Sequence, residues 1–176
     1  MSDIRITTEN LPSMAASLKA GDRILLSGTV YTARDAAHKR IAQSLRNSEE
    51  PPFPLKGAAI YYAGPTPTPD GLAIGSCGPT TSSRMDGFAP GLYDLGVVAT
   101  IGKGGRSAAV CDAIQRNGGI YLCAIGGAGA LAAKCITSCQ VIAYEDLGCE
   151  SVKKLNFEDF PLIVGIDCRG CNLFVR

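Results

Sequence analysis

Gly78-Pro79-Thr80-Thr81-Ser82-Ser83-Arg84-Met85-Asp86 is the stretch on which the reading of this chain turns. It follows the apolar run Leu72-Ala73-Ile74-Gly75-Ser76-Cys77, which predicts a buried strand emptying into a hydroxyl-rich turn that ends in a cation. A Gly-Pro pair breaks a strand and fixes a turn, because proline locks φ and donates no N–H. Threonine and serine hydroxyls then donate to an anion or cap a helix, and a guanidinium grips a carboxylate through two parallel N–H bonds. Each residue alone suits an ordinary strand-to-helix connection. Two threonines, two serines and an arginine in succession point instead to an oxyanion-binding loop.

Upstream, Arg23 to Tyr31 has strand composition, and Thr32-Ala33-Arg34-Asp35 fits a capping box that opens a helix through Arg46, with Thr32 as N-cap. Arg34 and His38, four apart, share a face of that helix near a strand end. An isolated arginine and histidine on a helix are ordinarily solvated or structural. Ala58 to Ala63 reads as a buried strand, and the proline-studded segment Gly64 to Gly71 as a rigid loop leading back to Leu72, so two strands converge on the threonine loop. Downstream, a short, Gly-interrupted helix to Leu95 precedes a strand at Val97 to Ile101 and then Gly102-Lys103-Gly104-Gly105. This is not a phosphate-binding P-loop, since Val97 stands where its first glycine belongs and Gly104 where Ser or Thr belongs. Lys103 remains a lysine at a strand end, placed to reach an anion held by the Arg84 loop.

Ser107 to Asn117 carries helical spacing capped by Gly118-Gly119, and Ile120 to Ile125 is a strand. Gly127-x-Gly129-x-x-Ala132 mimics a dinucleotide fingerprint, but too little chain separates it from the strand at Val141 for a crossover helix, so it reads as close helix-to-strand packing. Strands are expected at Val141 to Tyr144, Val152 to Phe157, Leu162 to Ile166 and Asn172 to Val175, whereas Ile4 to Lys19 alternates poorly. The expectation is one domain over residues 1–176, mixed α/β with more than one sheet layer.

The totals narrow the function classes. Charged residues are 19% and hydrophobic residues 46%, more apolar surface than a solvated monomer of this size needs, which predicts a covered face. A net charge of +1 with no basic stripe among aromatics argues against nucleic-acid binding. The amino-terminal Met1-Ser2-Asp3 has no export pattern, and the uncharged run Asn117 to Ala133 is shorter than the roughly 20 residues a spanning helix needs, so a cytoplasmic protein is expected. Of the eight cysteines, most sit singly in apolar runs and read as small buried hydrophobes; Cys168-Arg169-Gly170-Cys171 alone has metal or redox spacing, without a second pair.

Ser27 to His38, Tyr62-Ala63-Gly64-Pro65, the threonine loop, Ile101-Gly102-Lys103-Gly104 and Phe160 to Asp167 together resemble the beta subunit of class I iron-sulfur fumarate hydratases and, more loosely, that of L-tartrate dehydratase. Asp86 after Met85 resembles the fumarases, since Glu is expected in the tartrate enzymes. The resemblance implies a swivelling β/β/α domain fold and a hydro-lyase of the tricarboxylic acid cycle that interconverts fumarate and L-malate. It implies an alpha subunit or domain as partner, holding a 4Fe-4S cluster on three cysteines absent here and acting as Lewis acid on the substrate hydroxyl. By the same resemblance Arg34, Thr81, Arg84, Lys103 and His38 bind or orient the dicarboxylate and Thr80 is the proposed base; this chain binds no metal and is inactive alone. A hetero-oligomer follows, with a homodimer of beta subunits as a further possibility within it. The rival of another class is a stand-alone dicarboxylate- or nucleotide-binding module built on the Gly127 turn.

Overall fold

The structure, a computed structural model, describes residues 3–175. Its elements are β1 (Ile4–Thr7), α1 (Leu11–Met14), β2 (Arg23–Thr32), α2 (Asp35–Arg46), β3 (Ala59–Tyr61), α3 (Ala89–Asp94), β4 (Ala99–Gly102), α4 (Ala108–Asn117), β5 (Ile120–Cys123), α5 (Gly129–Lys134), β6 (Ile136–Ala143) and β7 (Val152–Ile166). Short 3-10 turns occupy Ala15–Ser17, Ser82–Met85 and Glu145–Glu150. The class is mixed α/β, as expected, but the strands do not form separate layers. They make one sheet in the order β1-β2-β3-β4-β5-β7-β6, in which β7 also pairs with β2. That extra ladder closes β2, β3, β4, β5 and β7 into a barrel, with β1 and β6 as edge additions.

Strands β1 to β5 run parallel to their neighbours, and β7 runs antiparallel to β2, β5 and β6. Parallel strands covered by helices bury both faces and therefore read as unbroken apolar runs. Ala59 and Tyr61, Ala99 and Ile101, and Ile120 and Leu122 enter the largest core, shared with Leu26, Val30 and Phe157. The residues between them point the other way, Ile60 into a core with Ala37 and Ile41 of α2, and Tyr121 into one with Val110 and Ile114 of α4. Each fully buried aliphatic or aromatic side chain contributes about 1.5–3 kcal/mol.

The two strands expected at Val152 to Phe157 and Leu162 to Ile166 are one continuous strand of 15 residues. Between them the register slips, Leu26 facing Phe160 but Gly28 facing Phe157, and Asp159 takes φ 47°. A bulge of this kind bends a strand around a barrel corner. Its effect is to turn both Phe157 and Phe160 inward, where their rings stack at 4.3 Å. Gly28, at φ 107°, is required opposite the bulge, since a Cβ there would run into Thr8 Oγ1.

Other expectations are corrected. Leu72 to Cys77 bends at Ala73 and Gly75 and joins no strand: Leu72 is exposed, and the backbone is spent on Thr66 N–H to Ser76 O (3.0 Å) and Cys77 N–H to Gly129 O (3.0 Å). Asn172 to Val175 makes only an isolated bridge to Ile166, while Ile4–Thr7, too short to show its alternation, adds to the edge of β2. The Gly-interrupted helix expected to Leu95 is found, broken around Gly87 into the turn Ser82–Met85 and α3. Beyond Gly127, α5 leads to β6, which lies antiparallel beside β7, so this stretch is not a parallel dinucleotide-type crossover. Tight packing is found at Gly129 rather than Gly127, because a Cβ on Gly129 would sit 3.0 Å from Gly78 N. Among the described residues no helix is long and apolar enough to cross a membrane.

Candidate functional site

Because β2 to β5 are parallel, their carboxyl ends share one rim of the barrel, and the threonine loop is stitched into that rim. Pro79 bridges Ala63 beyond β3, and Thr81 bridges Lys103 beyond β4. Thr80 N–H donates to Tyr62 O (2.6 Å), Lys103 N–H to Thr80 O (3.3 Å) and Ser82 N–H to Lys103 O (2.9 Å). Both backbone groups of Thr80 are thus used by strand ends, and its half-buried side chain is held in place from beneath. The four hydroxyls are not equivalent. Ser82 is buried, its Oγ 2.8 Å from Tyr121 OH, which itself donates to Gly104 O (2.8 Å), so Ser82 is the donor of that pair. Thr81 and Ser83 are exposed.

Arg84 leaves this turn toward α2. Its Nε donates to Asp35 Oδ1 (3.0 Å) and its Nη2 lies 2.7 Å from Asp35 Oδ2, with 49% of the side chain exposed. Arg34 Nε lies 3.9 Å from the same carboxylate and its Nη2 3.6 Å from Glu150 Oε1. Asp35 therefore sits between the two guanidinium groups. A Cβ on Gly64 would fall 2.8 Å from Arg34 Nη1, so glycine at that position gives the Arg34 side chain its course. Lys103 completes the set: its aliphatic stem runs past Gly126, and among the described residues no carboxylate pairs with it.

The capping box expected at Thr32 is not formed. Thr32 belongs to β2, where its hydroxyl donates to Ser151 O (3.3 Å) and accepts Lys153 N–H (3.0 Å), which carries the strand one residue further than composition suggests. Arg34 is the N-cap, and the cap hydrogen bond comes from far away, Ala36 N–H donating to Glu150 Oε2 (2.9 Å). Asp35 is thereby released to hold Arg84.

His38 does not face the rim. It is 1% exposed, its Nδ1 lies 2.9 Å from Arg34 O, and its ring packs on Tyr62 and Phe88. A carbonyl only accepts, so Nδ1 carries the proton and His38 fixes the backbone of Arg34. Burial, only partly offset by that bond, lowers its pKa to about 4. The unfolded chain then binds a proton that the folded chain refuses between about pH 6.5 and 4, and stability falls as pH drops through that window. The loss should approach 3 kcal/mol, on the order of 1.4 kcal/mol per pKa unit, in urea unfolding, and His38→Phe should remove that part of the slope.

Arg106 is the residue that sequence reasoning missed. Its side chain is fully buried, donating from Nε to Asp86 Oδ1 (2.7 Å), from Nη1 to Thr100 Oγ1 (2.9 Å) and from Nη2 to Tyr62 OH (3.3 Å). It also lies over the rings of Tyr62 and Tyr121, at 5.3 and 4.9 Å. Asp86, which also accepts Ser107 N–H (2.6 Å), is therefore a packing residue beneath the loop, and its identity reports on Arg106 rather than on substrate. The signal was available as an arginine next to a helix start, in a segment with few other side chains.

The cysteines also differ from expectation: only Cys77 is fully buried, its thiol pushed up to about 12 by burial, while Cys149 and Cys171 are exposed. Cys168 to Cys171 wraps the buried Asp167 carboxylate, which accepts the N–H groups of Ala20, Arg169 and Cys171. Among the described residues no three His, Cys, Asp or Glu side chains converge as a metal site.

The Fumarase C-terminus family model matches residues 1–176. The chain belongs to this family. It is 38% identical over 177 residues to fumarate hydratase 2 of Leishmania major, covering 99% of this chain and 31% of that protein. It is 37% identical over 174 residues to the aerobic class I fumarate hydratase of Escherichia coli K12, covering 98% of this chain and 32% of that one. A putative L(+)-tartrate dehydratase subunit beta of Methanocaldococcus jannaschii is 37% identical over 163 residues, 89% of this chain and 84% of the subunit. The chain thus spans about a third of the fumarate hydratases it matches and most of the beta subunit.

Proposed function

We propose that this chain is the beta-type part of a class I iron-sulfur fumarate hydratase and hydrates fumarate to L-malate reversibly in a site shared with an alpha-type subunit or domain. The observation that carries this reading is the rim itself. Arg34 and Arg84, from different elements, meet at Asp35, Lys103 is tied through its backbone to Thr80, and among the described residues Lys103 has no carboxylate partner. Fumarate and malate are dianions, and two carboxylates need such cations. Arg34 Nε is also buried without a hydrogen-bond partner among the described residues, the condition of a donor awaiting a ligand or a partner surface.

In this reading Arg34 and Arg84 orient the carboxylates, Lys103 adds a charge beside Thr80, Thr81 contacts substrate from the exposed side of the loop, and His38 positions Arg34. Thr80 is the proposed base, moving the proton at C3 of malate. A threonine hydroxyl is a weak base in water, so the neighbouring cations must stabilise its alkoxide in a dry site. The partner holds the 4Fe-4S cluster, whose chemistry is Lewis-acid activation of the substrate hydroxyl. The swivelling β/β/α description, the cytoplasmic setting, the place in the tricarboxylic acid cycle, the hetero-oligomer and inactivity of the chain alone belong to the same proposal.

The second reading is the beta subunit of an L-tartrate dehydratase, favoured by the near-complete overlap with that relative. Anaerobic co-production with an alpha-type partner, each part alone as control, decides. Turnover of malate only by the pair is the expected result. Turnover of tartrate instead would transfer the site to the second reading, and turnover of neither would remove the hydratase proposal.

A further inference from the structure

Lys153, the second residue of β7, is only 7% exposed and has no carboxylate partner among the described residues. A buried ammonium is costly unless other groups replace its water. Here four oxygens do so. Nζ donates to Gly148 O (3.2 Å), Cys149 O (3.1 Å), Ser151 O (3.3 Å) and Ser151 Oγ (2.7 Å). Gly148 makes the arrangement possible, since its φ of 57° and ψ of −117° turn the chain in a way that side chains disfavour. An inward cage of carbonyl and hydroxyl oxygens around one positive charge is the coordination that a bare monovalent cation would demand.

Glu150 lies inside this gathered loop with its carboxylate turned to α2. It caps α2 at Ala36 N–H and approaches Arg34 Nη2, and the neighbouring Cys149 carbonyl lies 3.3 Å from the position of a Gly64 Cβ, beside the Arg34 guanidinium. The Thr32 hydroxyl ties the end of β2 to the same Ser151 and Lys153 backbone. We infer that Lys153 is a positioning residue for Arg34, a built-in cation that folds the Gly148 to Ser151 loop and, through Glu150, sets the first turn of α2 at the rim. Only the activity readout of this inference rests on the dicarboxylate proposal.

The test uses the full chain and Lys153→Met, with amide hydrogen exchange as the first readout. Exchange at Ala36 and at residues 149–151 should rise about tenfold or more with α4 unchanged, the scale of one charge-assisted hydrogen bond. Ammonium chloride should restore protection, and tetramethylammonium chloride at equal ionic strength should not, because its methyl groups cannot donate to the cage. In the assembled enzyme KM should rise about tenfold with kcat within about twofold, the pattern of lost ground-state binding. Should Lys153→Met fail to fold, Glu150→Gln keeps the cage and should still raise Ala36 exchange and KM without an ammonium response. Unchanged Ala36 exchange in either variant, or a Lys153→Met rise indifferent to ammonium, overturns the inference. A wild-type assembly that turns over no dicarboxylate removes the hydratase reading and leaves the exchange result to decide this one.

Discussion

Arg84→Ala should lower kcat/KM of the assembled enzyme by roughly a hundred- to a thousandfold while the chain stays folded. In a closed site, a substrate carboxylate deprived of its two-pronged partner loses about 2–5 kcal/mol, most of it the cost of leaving that charge unpaired. The fold should hardly register the change. The Arg84–Asp35 pair is half exposed on the arginine side, and such pairs contribute only about 0–1 kcal/mol. Asp35 would retain Arg34 beside it. Arg84→Lys should fall between the two, keeping charge but not the planar fork. Steady-state kinetics and a thermal melt, run together, give the answer: near-wild-type kcat/KM in Arg84→Ala would remove Arg84 from the substrate clamp.

The largest effect on stability should come from Arg106→Met. The Arg106 side chain is 0% exposed and that of Asp86 12%, so removing the cation leaves a buried carboxylate with only Ser107 N–H to satisfy it. Breaking a buried pair from one side costs about 3–5 kcal/mol, more than any surface change in this chain should. Urea unfolding should show this as a lowered midpoint with an unchanged slope. Adding Asp86→Asn should recover part of the loss by removing the stranded charge. A loss below about 1 kcal/mol in the single variant would mean that the rings of Tyr62 and Tyr121, rather than the ion pair, hold the loop.

The sequence disclosed the residues of the rim better than their partners. Lys103 stands between two glycines at the end of β4, and Thr80 and Arg84 lie in a hydroxyl-rich run opened by Gly78-Pro79, local patterns that can be read directly. What each one pairs with cannot be read this way, because the pairings span the chain: Arg84 with Asp35 at a separation of 49, and Ala36 with Glu150 at 114. Asp35 looked like half of a capping box for the same reason, its true partner being absent from the window. Strands β2 to β5 and helix α4, with Gly118 at φ 65° closing it, were legible because burial and capping leave local marks. The barrel was not. Glu158-Asp159 looks like a turn between two strands, and only the ladder to β2 shows that it is the bulge of one.

Closure of the barrel by β7 also governs how the chain reaches this state. The hydrogen bond from Lys153 to Thr32 joins residues 121 positions apart, so β2 must wait for a strand made much later in synthesis. Non-local strand pairing is slow, because loop-closure entropy is lost before the contacts that reward it are made. During that interval β2 and β5 both present unpaired edges, and the apolar side chains meant for the barrel, among them Leu26, Val30 and Leu122, lack their cover. Two open edges on one nascent chain are two places for a neighbouring copy to add a strand. Partitioning between folding and aggregation is therefore set by the arrival of a single strand, and it tilts toward aggregation as the concentration of unfinished chains rises.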